Sequence, residues 1–395
     1  MTTFITLLAA AALVYLVVEH GHLARALARR PPAAPTPPRY PALTVIRPIR
    51  GLDVGADENV RALLDSDYPG PLELLFVFDD DADPACPVVR ELVAARPDVD
   101  ARVLIAGPPP DGRTGKLHAM SVGVRAAKGE LVGFSDSDTR VDRDLLRVLV
   151  ERLLATDGAG DVFAPALADA PPHTAGDVGY ALMLNVWYGA LAATAAGAAR
   201  ELPFIMGQIM VFRREALAAI GGVESADGQL VDDMYLGKRM AQAGWHNVMS
   251  ERPLHIVTGD MSLGDFVRLM RRWLLFSRSG LPAQFKRPAW LRGVAMWAAM
   301  IAAAAALANG LALATVLAVA ALVAACMSDR ALHRQLGGAP IPLRFFPMSL
   351  AVMLLAPWVL ASMIFDRHVD WRGRDYALDN GSHLKNDSSA ALPRG

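Results

Sequence analysis

Cysteine is nearly absent from this chain. Only Cys86 and Cys326 occur in 395 residues, and Cys326 lies inside an apolar run, so a disulfide scaffold is excluded and a reducing compartment fits. An excess of charge is missing too: 39 Lys+Arg stand against 40 Asp+Glu, which leaves no basic field to hold nucleic acid and no acidic excess to argue for disorder. Three stretches lack Asp, Glu, Lys and Arg altogether: Thr2 to Val18, Val294 to Met327, and Phe345 to Phe365. With 53% hydrophobic residues, these runs disfavour a purely soluble protein and mark it as one that enters a membrane.

At about 1.5 Å per helical residue, the first and last runs are each close to a hydrocarbon core of about 30 Å. The middle run of 34 residues is too long for one crossing and has Asn309-Gly310 near its centre, which predicts two short crossings joined by a turn. The first run has its basic flank after it (Arg25, Arg29, Arg30), the reverse of a secretory signal, and reads as an uncleaved anchor. Lys286, Arg287 and Arg292 precede the second span, and Arg330, Arg334 and Arg344 lie between the third and fourth. These flanks predict a multi-pass membrane protein with everything between anchor and spans cytoplasmic, and the membrane expected is a bacterial inner membrane or an equivalent one. The same count puts the tail after Phe365 outside, although its mixture of Asp366, Arg367, Asp370, Arg372, Arg374 and Asp375 votes for neither side.

The expected layout is an anchor and flank (1–30), a Pro-rich linker (31–41), an α/β domain (42–261), an amphipathic region (262–292), three spans (293–366) and a polar tail (367–395). Pro31, Pro32, Pro35, Pro37, Pro38 and Pro41 make the linker extended. Beyond it, short apolar runs at Leu43–Arg47, Leu72–Phe78, Arg102–Ala106 and Glu130–Phe134 alternate with helical stretches at Glu58–Leu64, Val88–Ala95 and Leu117–Ala127. This spacing predicts right-handed crossovers and a mostly parallel sheet covered on both faces, with ligands at the carboxyl ends of the strands.

Acidic residues stand at those ends. Leu72–Phe78 runs into Asp79-Asp80-Asp81, and Glu130–Phe134 into Ser135-Asp136-Ser137-Asp138. Asp after a strand is also a common turn former. Two such clusters on one edge, one of them Asp-x-Asp, suit a hard divalent cation with positions left for diphosphate oxygens. A third pair, Asp232-Asp233, opens an amphipathic stretch ending near Gly244. It reads either as charge favoured at a helix start or as the general base a sugar-acceptor hydroxyl needs. Ser262-Leu263-Gly264-Asp265 then predicts a capped helix with Phe266, Val267, Met270 and Leu274 on one face and Arg268, Arg271, Arg272 and Arg278 largely on the other. Such a helix suits a lipid surface, while Arg272-Trp273 could reach the site, the guanidinium matching a diphosphate and the indole walling a pocket.

Three acidic stations in this order, the Arg-Trp pair, the anchor and the C-terminal spans resemble the membrane-bound family 2 (GT-A fold) glycosyltransferases, and within them the ceramide glucosyltransferase family. The segments that carry the resemblance are Arg47-Pro48-Ile49-Arg50-Gly51-Leu52-Asp53, Asp83-Pro84-Ala85, Lys116, Ser135-Asp136-Ser137, Met206-Gly207-Gln208, Val231-Asp232-Asp233 and Met270-Arg271-Arg272-Trp273. The resemblance implies a GT-A, Rossmann-like domain in which Asp80, or Asp79 in its place, holds the uridine end of a UDP-sugar. It further implies that Asp136 and Asp138 hold Mn²⁺ or Mg²⁺ and the diphosphate, that Asp233 is the base, and that Lys116 faces the nucleotide or phosphates. Arg272 and Trp273 would close over diphosphate and acceptor, with Gly207, Gln208, Asp232 and Trp187 as acceptor-site candidates. Leu269 departs from the family pattern, which has Gln or Arg three residues before the Arg-Trp pair; Arg268 or Arg271 could stand in, or the role could go unfilled.

Tyr180 to Ala199 is a further run of twenty residues without charge. A crossing there would separate Asp136 from Asp233 by the bilayer, so it is expected to be an apolar helix with Trp187 and Tyr188 beside a lipid acceptor. The expected activity is inverting transfer of a hexose, glucose from UDP-glucose, to the primary hydroxyl of a membrane lipid, ceramide. The alternatives are transfer to a hopanoid or another lipid alcohol, and an inactive nucleotide- and lipid-binding relative.

Overall fold

The computed structural model describes residues 1–29, 32–197, 199–365, 368–379 and 383–385. Arg30, Pro31, Asp366 and Arg367 lie outside the described residues, as does the side chain of Arg278.

The apolar runs form an eight-stranded sheet: β1 (Leu43–Ile49), β2 (Leu72–Phe78), β3 (Asp100–Ile105), β4 (Leu131–Ser135), β5 (Ala159–Phe163), β6 (Glu201–Leu202), β7 (Ile209–Arg213) and β8 (His246–Met249), in spatial order β3-β2-β1-β4-β7-β5-β8-β6. β2 and β4 are buried on both faces, which requires a layer on each. One layer comes from the helices Ala56–Leu64, Cys86–Ala94 and Leu145–Ala155, packed through Leu63, Val89 and Leu149. The other comes from the helices Gly115–Ala126 and Asp232–Gln242, packed through Leu117, Met120, Leu236 and Met240.

The sheet is mostly parallel, as expected, but β7 runs antiparallel between β4 and β5, and β6 is antiparallel at the edge. From β1 the chain goes to β2 and β3 on one side and returns to β4 on the other, so a crevice opens at the carboxyl ends of β1 and β4. Register decides what meets there. Ile49 pairs with Phe78, placing Arg50 beside Asp79, and Ser135 pairs with Ile209, placing Asp136 beside Gln208.

Five helices among the described residues are long and apolar enough to cross a membrane: Thr2–Ala28, Ala175–Ala196, Phe285–Ala308, Ala312–Gln335 and Leu343–Met363. The chain turns at Asn309-Gly310 between the third and fourth. Ile5, Ala9, Ala302, Ala306, Ala314 and Ala318 pack the first, third and fourth together, small side chains letting the backbones come close. Where these three helices approach the domain, Arg292 bonds both Glu19 and Asp329, so each buried charge is partnered. The 175–196 helix has 67% of its apolar window buried in the protein, the largest share of the five. Its centre, Leu182–Ala190, is a π-helix, fastened by Asn185, whose side chain donates to Ala168 O at 2.8 Å and accepts from Ala168 N at 2.9 Å.

The helix Leu263–Gly280 starts with the expected reciprocal cap: Asp265 N donates to Ser262 Oγ at 3.1 Å, and Ser262 N to Asp265 Oδ2 at 3.3 Å. The tail, whose side the flanking charges left open, packs against the α/β domain. His368–Trp371 and Arg374–Ala377 form a hairpin that docks on the carboxyl ends of β1 and β2, where Arg50 Nε donates to Arg372 O at 2.8 Å and Arg372 Nη1 to Arg50 O at 3.1 Å. Charge counting cannot see this, because the contact joins residues 322 apart in sequence.

Candidate active site

A cavity of about 1150 Å³ opens at the crevice and continues between the apolar helices. Its floor is built on Arg47, fully buried in β1, which donates to Asn59 O at 2.8 Å and Ser135 Oγ at 2.9 Å. Burial lowers its guanidinium to about 10, still charged, opposed by the fields of Asp138, Asp136 and Asp53. The floor therefore carries a fixed positive charge under three carboxylates.

Above it, Lys116 at the start of the Gly115–Ala126 helix places Nζ 2.7 Å from Asp136 Oδ1 and 4.0 Å from Asp232 Oδ2. Burial opposes the ammonium, but Asp136, Asp232 and Asp233 outweigh it and hold Lys116 charged. Burial raises Asp136, and Lys116 pulls it only partly back. Asp138 makes no side-chain hydrogen bond or ion pair among the described residues; burial and the charges of Asp136 and Asp53 raise it to about 6. No three His, Cys, Asp or Glu side chains among the described residues already converge as a metal cluster.

Asp233 lies on the first turn of the Asp232–Gln242 helix and faces the cavity. Its Oδ2 accepts from Gly207 N at 2.7 Å and its Oδ1 from Met234 N at 2.8 Å. Burial and then the neighbouring Asp232 raise it to about 7, against the pull of Lys116 and the two amides. A carboxylate of that strength near neutrality is suited to accept a proton. No histidine lines the cavity among the described residues. Asp232 is buried beneath, its Oδ2 without a hydrogen-bond partner. Gln208 joins the acidic stations: its carbonyl accepts from Asp136 N at 2.9 Å, while its buried Oε1 has no partner.

Of the first acidic pair, Asp79 and not Asp80 is in the cavity wall. Asp79 Oδ2 lies 2.8 Å from Arg50 Nη1 and 3.0 Å from Arg374 Nη1. Asp80 is exposed and turns back to accept from Ala82 N at 3.0 Å, the turn-forming use of Asp that the sequence also allowed.

The opposite wall is apolar. Trp273 stands edge-on to Tyr180 and Tyr188, with ring centroids 6.3 and 5.3 Å away, and Trp187 lines the same space with its Nε1 unpartnered. Arg272 reaches the cavity, while Arg268 pairs with Asp265 and Arg271 Nη1 donates to His368 O at 3.0 Å, so neither replaces the polar residue missing at Leu269. Leu269 itself lines the cavity. Three further wall residues had no motif to announce them, Trp371, Arg372 and Tyr376 of the tail hairpin, and Asp53 behind the wall holds one of them. Asp53 lay in the Arg47–Asp53 segment without an assigned role, and the hairpin side chains lie too far along the chain to form a spacing pattern. Ser137 Oγ donates to Asp53 Oδ2 at 2.5 Å, Arg372 Nη1 donates to Asp53 Oδ1 at 2.5 Å, and Gly115 N donates to Tyr376 Oη at 3.3 Å.

The fold and the sequence have counterparts. A mannosyltransferase from Pyrobaculum calidifontis, solved with GDP-Man and Mn²⁺, superposes with a TM-score of 0.58 at 23% identity, covering 91% of this chain and 99% of that one. The α/β domain thus has the GT-A fold. Ceramide glucosyltransferase 3 of Caenorhabditis elegans is 25% identical over 245 residues, 61% of this chain and 52% of its own length. Ceramide glucosyltransferase 1 of the same organism is 24% identical over 255 residues, 62% of this chain and 52% of its own length. The chain spans about half the length of the curated relatives it matches. The sequence model of glycosyl transferase family 21 matches residues 4–384, the anchor, the whole α/β domain, the spans and the tail hairpin together, and the chain belongs to that family.

Proposed function

We propose that the chain is an inverting glycosyltransferase that moves a hexose, glucose from UDP-glucose, to the primary hydroxyl of a membrane lipid, ceramide. The observation that carries this reading is the position of Asp233, held by two amides where the charged floor around Asp136 and Lys116 meets the apolar wall of Trp273, Tyr188 and Trp187. A sugar diphosphate suits the first surface and an acyl chain the second. The names of the C. elegans relatives support the donor and acceptor chosen.

In a single displacement, Asp233 takes the proton of the lipid hydroxyl as its oxygen attacks the anomeric carbon. The bond from that carbon to the diphosphate oxygen breaks, and configuration inverts. Lys116 and Arg272 meet the negative charge gathering on the departing diphosphate. Asp136 and Asp138 would hold a divalent cation: both are hard oxygen donors facing the cavity, Asp138 has no side-chain hydrogen-bond or ion-pair partner among the described residues, and the mannosyltransferase of the same fold was solved with Mn²⁺. When bound, such a cation supplies Lewis-acid stabilisation of the leaving group. Asp79 takes the place expected of Asp80 at the nucleoside end. The α/β domain is read as cytoplasmic, and because the tail hairpin docks on that domain, the helix Met348–Phe365 is read as lying along the membrane surface rather than crossing it.

The purified protein in detergent, given UDP-glucose and ceramide, should release UDP and form glucosylceramide. Absence of UDP release across a panel of nucleotide sugars and lipid alcohols would overturn the enzymatic reading.

A further inference from the structure

The tail hairpin turns through Arg372-Gly373, with φ of 55° and 70°. Two successive left-handed residues are the pattern of a type I′ turn, where Asn-Gly is the favoured pair and a long side chain at the first position is disfavoured. A strained residue persists where its surroundings hold it, and such residues cluster at functional sites.

Here the side chain is what is held. Arg372 Nη1 donates to Asp53 Oδ1 at 2.5 Å and Arg50 O at 3.1 Å, and its Nη2 lies 3.4 Å from Ser137 Oγ. Those contacts put the guanidinium in the cavity wall, within the fields of Asp136 and Asp138 and close enough to Arg272 for the two cations to disfavour each other. Arg272 has no hydrogen-bond or ion-pair partner among the described residues, and its Nε is buried. Two guanidiniums facing one space, one of them unpartnered, form a site for a doubly charged anion.

We infer that Arg372 is a donor-binding residue, which together with Arg272 and Lys116 grips the diphosphate of the nucleotide sugar, and that the C-terminal hairpin is therefore part of the donor site. This rests on the nucleotide-sugar reading above. Asp53 and Ser137 hold the guanidinium when no donor is present.

The turn chemistry offers a clean test. Arg372→Asn restores the favoured Asn-Gly pair, so the hairpin is kept while the guanidinium is lost. Titrating the full-length protein with UDP and with uridine by calorimetry, the variant should keep its melting temperature and its uridine affinity but bind UDP about ten- to a hundredfold more weakly. Arg372→Lys should recover part of the loss. Asp53→Asn, which breaks the latch but leaves the guanidinium, should bind UDP as tightly as the unmodified protein or more so. UDP affinity of Arg372→Asn within twofold of the unmodified protein, or a loss in Asp53→Asn equal to that in Arg372→Asn, would overturn the inference. An unmodified protein that binds UDP and GDP no better than uridine would instead bring down the nucleotide-sugar reading.

Discussion

Gly207 and Asp233 are in contact so close that only glycine fits: the Gly207 amide donates to Asp233 Oδ2 at 2.7 Å, and a methyl group added to Gly207 would lie 2.6 Å from both Cβ and Oδ2 of that aspartate. The strand-end loop thereby aims the carboxylate. Gly207→Ala should displace it and lower turnover while UDP still binds. Asp233→Asn, which keeps size and polarity, should express normally, bind UDP and lose about a hundredfold to ten-thousandfold in rate, with Asp232→Asn milder. An Asp233→Asn enzyme of near-normal rate would return this aspartate to a helix-start role, worth about 0.3 to 1 kcal/mol.

The pH profile should have a definite sign. Asp233, raised to about 7, accepts a proton only when ionised, so the rate should climb about tenfold per pH unit up to about pH 7 and then level off. Stability should run the other way. An acid whose folded value is raised binds its proton more tightly in the native state, so the contributions of Asp233 and of Asp138, at about 6, are complete below about pH 4 and are lost as pH rises through 6 to 7. Melting curves and initial rates between pH 5 and 8 check both. In Asp233→Asn the stability slope should shrink.

Chelation should stop sugar transfer, and Mn²⁺ or Mg²⁺ should restore it. Asp138→Asn should weaken metal binding, followed by Mn²⁺ electron paramagnetic resonance without any substrate. Full turnover in excess chelator, with no metal found by elemental analysis, would remove the cation from the mechanism.

Sidedness can be read by thiol labelling in intact cells, since Cys86 and Cys326 are buried. Exposed Glu91 and Asp375, each replaced by cysteine in turn, should both be shielded from an impermeant reagent until lysis. Labelling at 375 but not at 91 before lysis would mean that Met348–Phe365 crosses.

What could be read along the chain was local. The strand at Leu72–Phe78, the Ser262–Asp265 cap and the turn at Asn309-Gly310 all appear where expected, because each depends on side chains a few residues apart. The π-helix at Leu182–Ala190 carries no such signal. Its geometry depends on Asn185 reaching Ala168 and on His333, whose Nδ1 lies 2.9 Å from Asn185 Nδ2, 148 residues further on.

The sequence by itself determined that there would be an α/β domain between apolar helices, and which acidic residues would crowd its strand ends: alternation of runs and charge-free length are one-dimensional properties. Which acid faces the cavity was a matter of register, since pairing Ile49 with Phe78 sets Asp79 against Arg50 and leaves Asp80 to the turn. That Asp233 would be raised toward neutrality, or that Arg372 would return to Asp53, depends on burial and on a contact spanning 319 residues. Desolvation and long-range ion pairing exist only once the chain has closed on itself, and only the tertiary structure decides them.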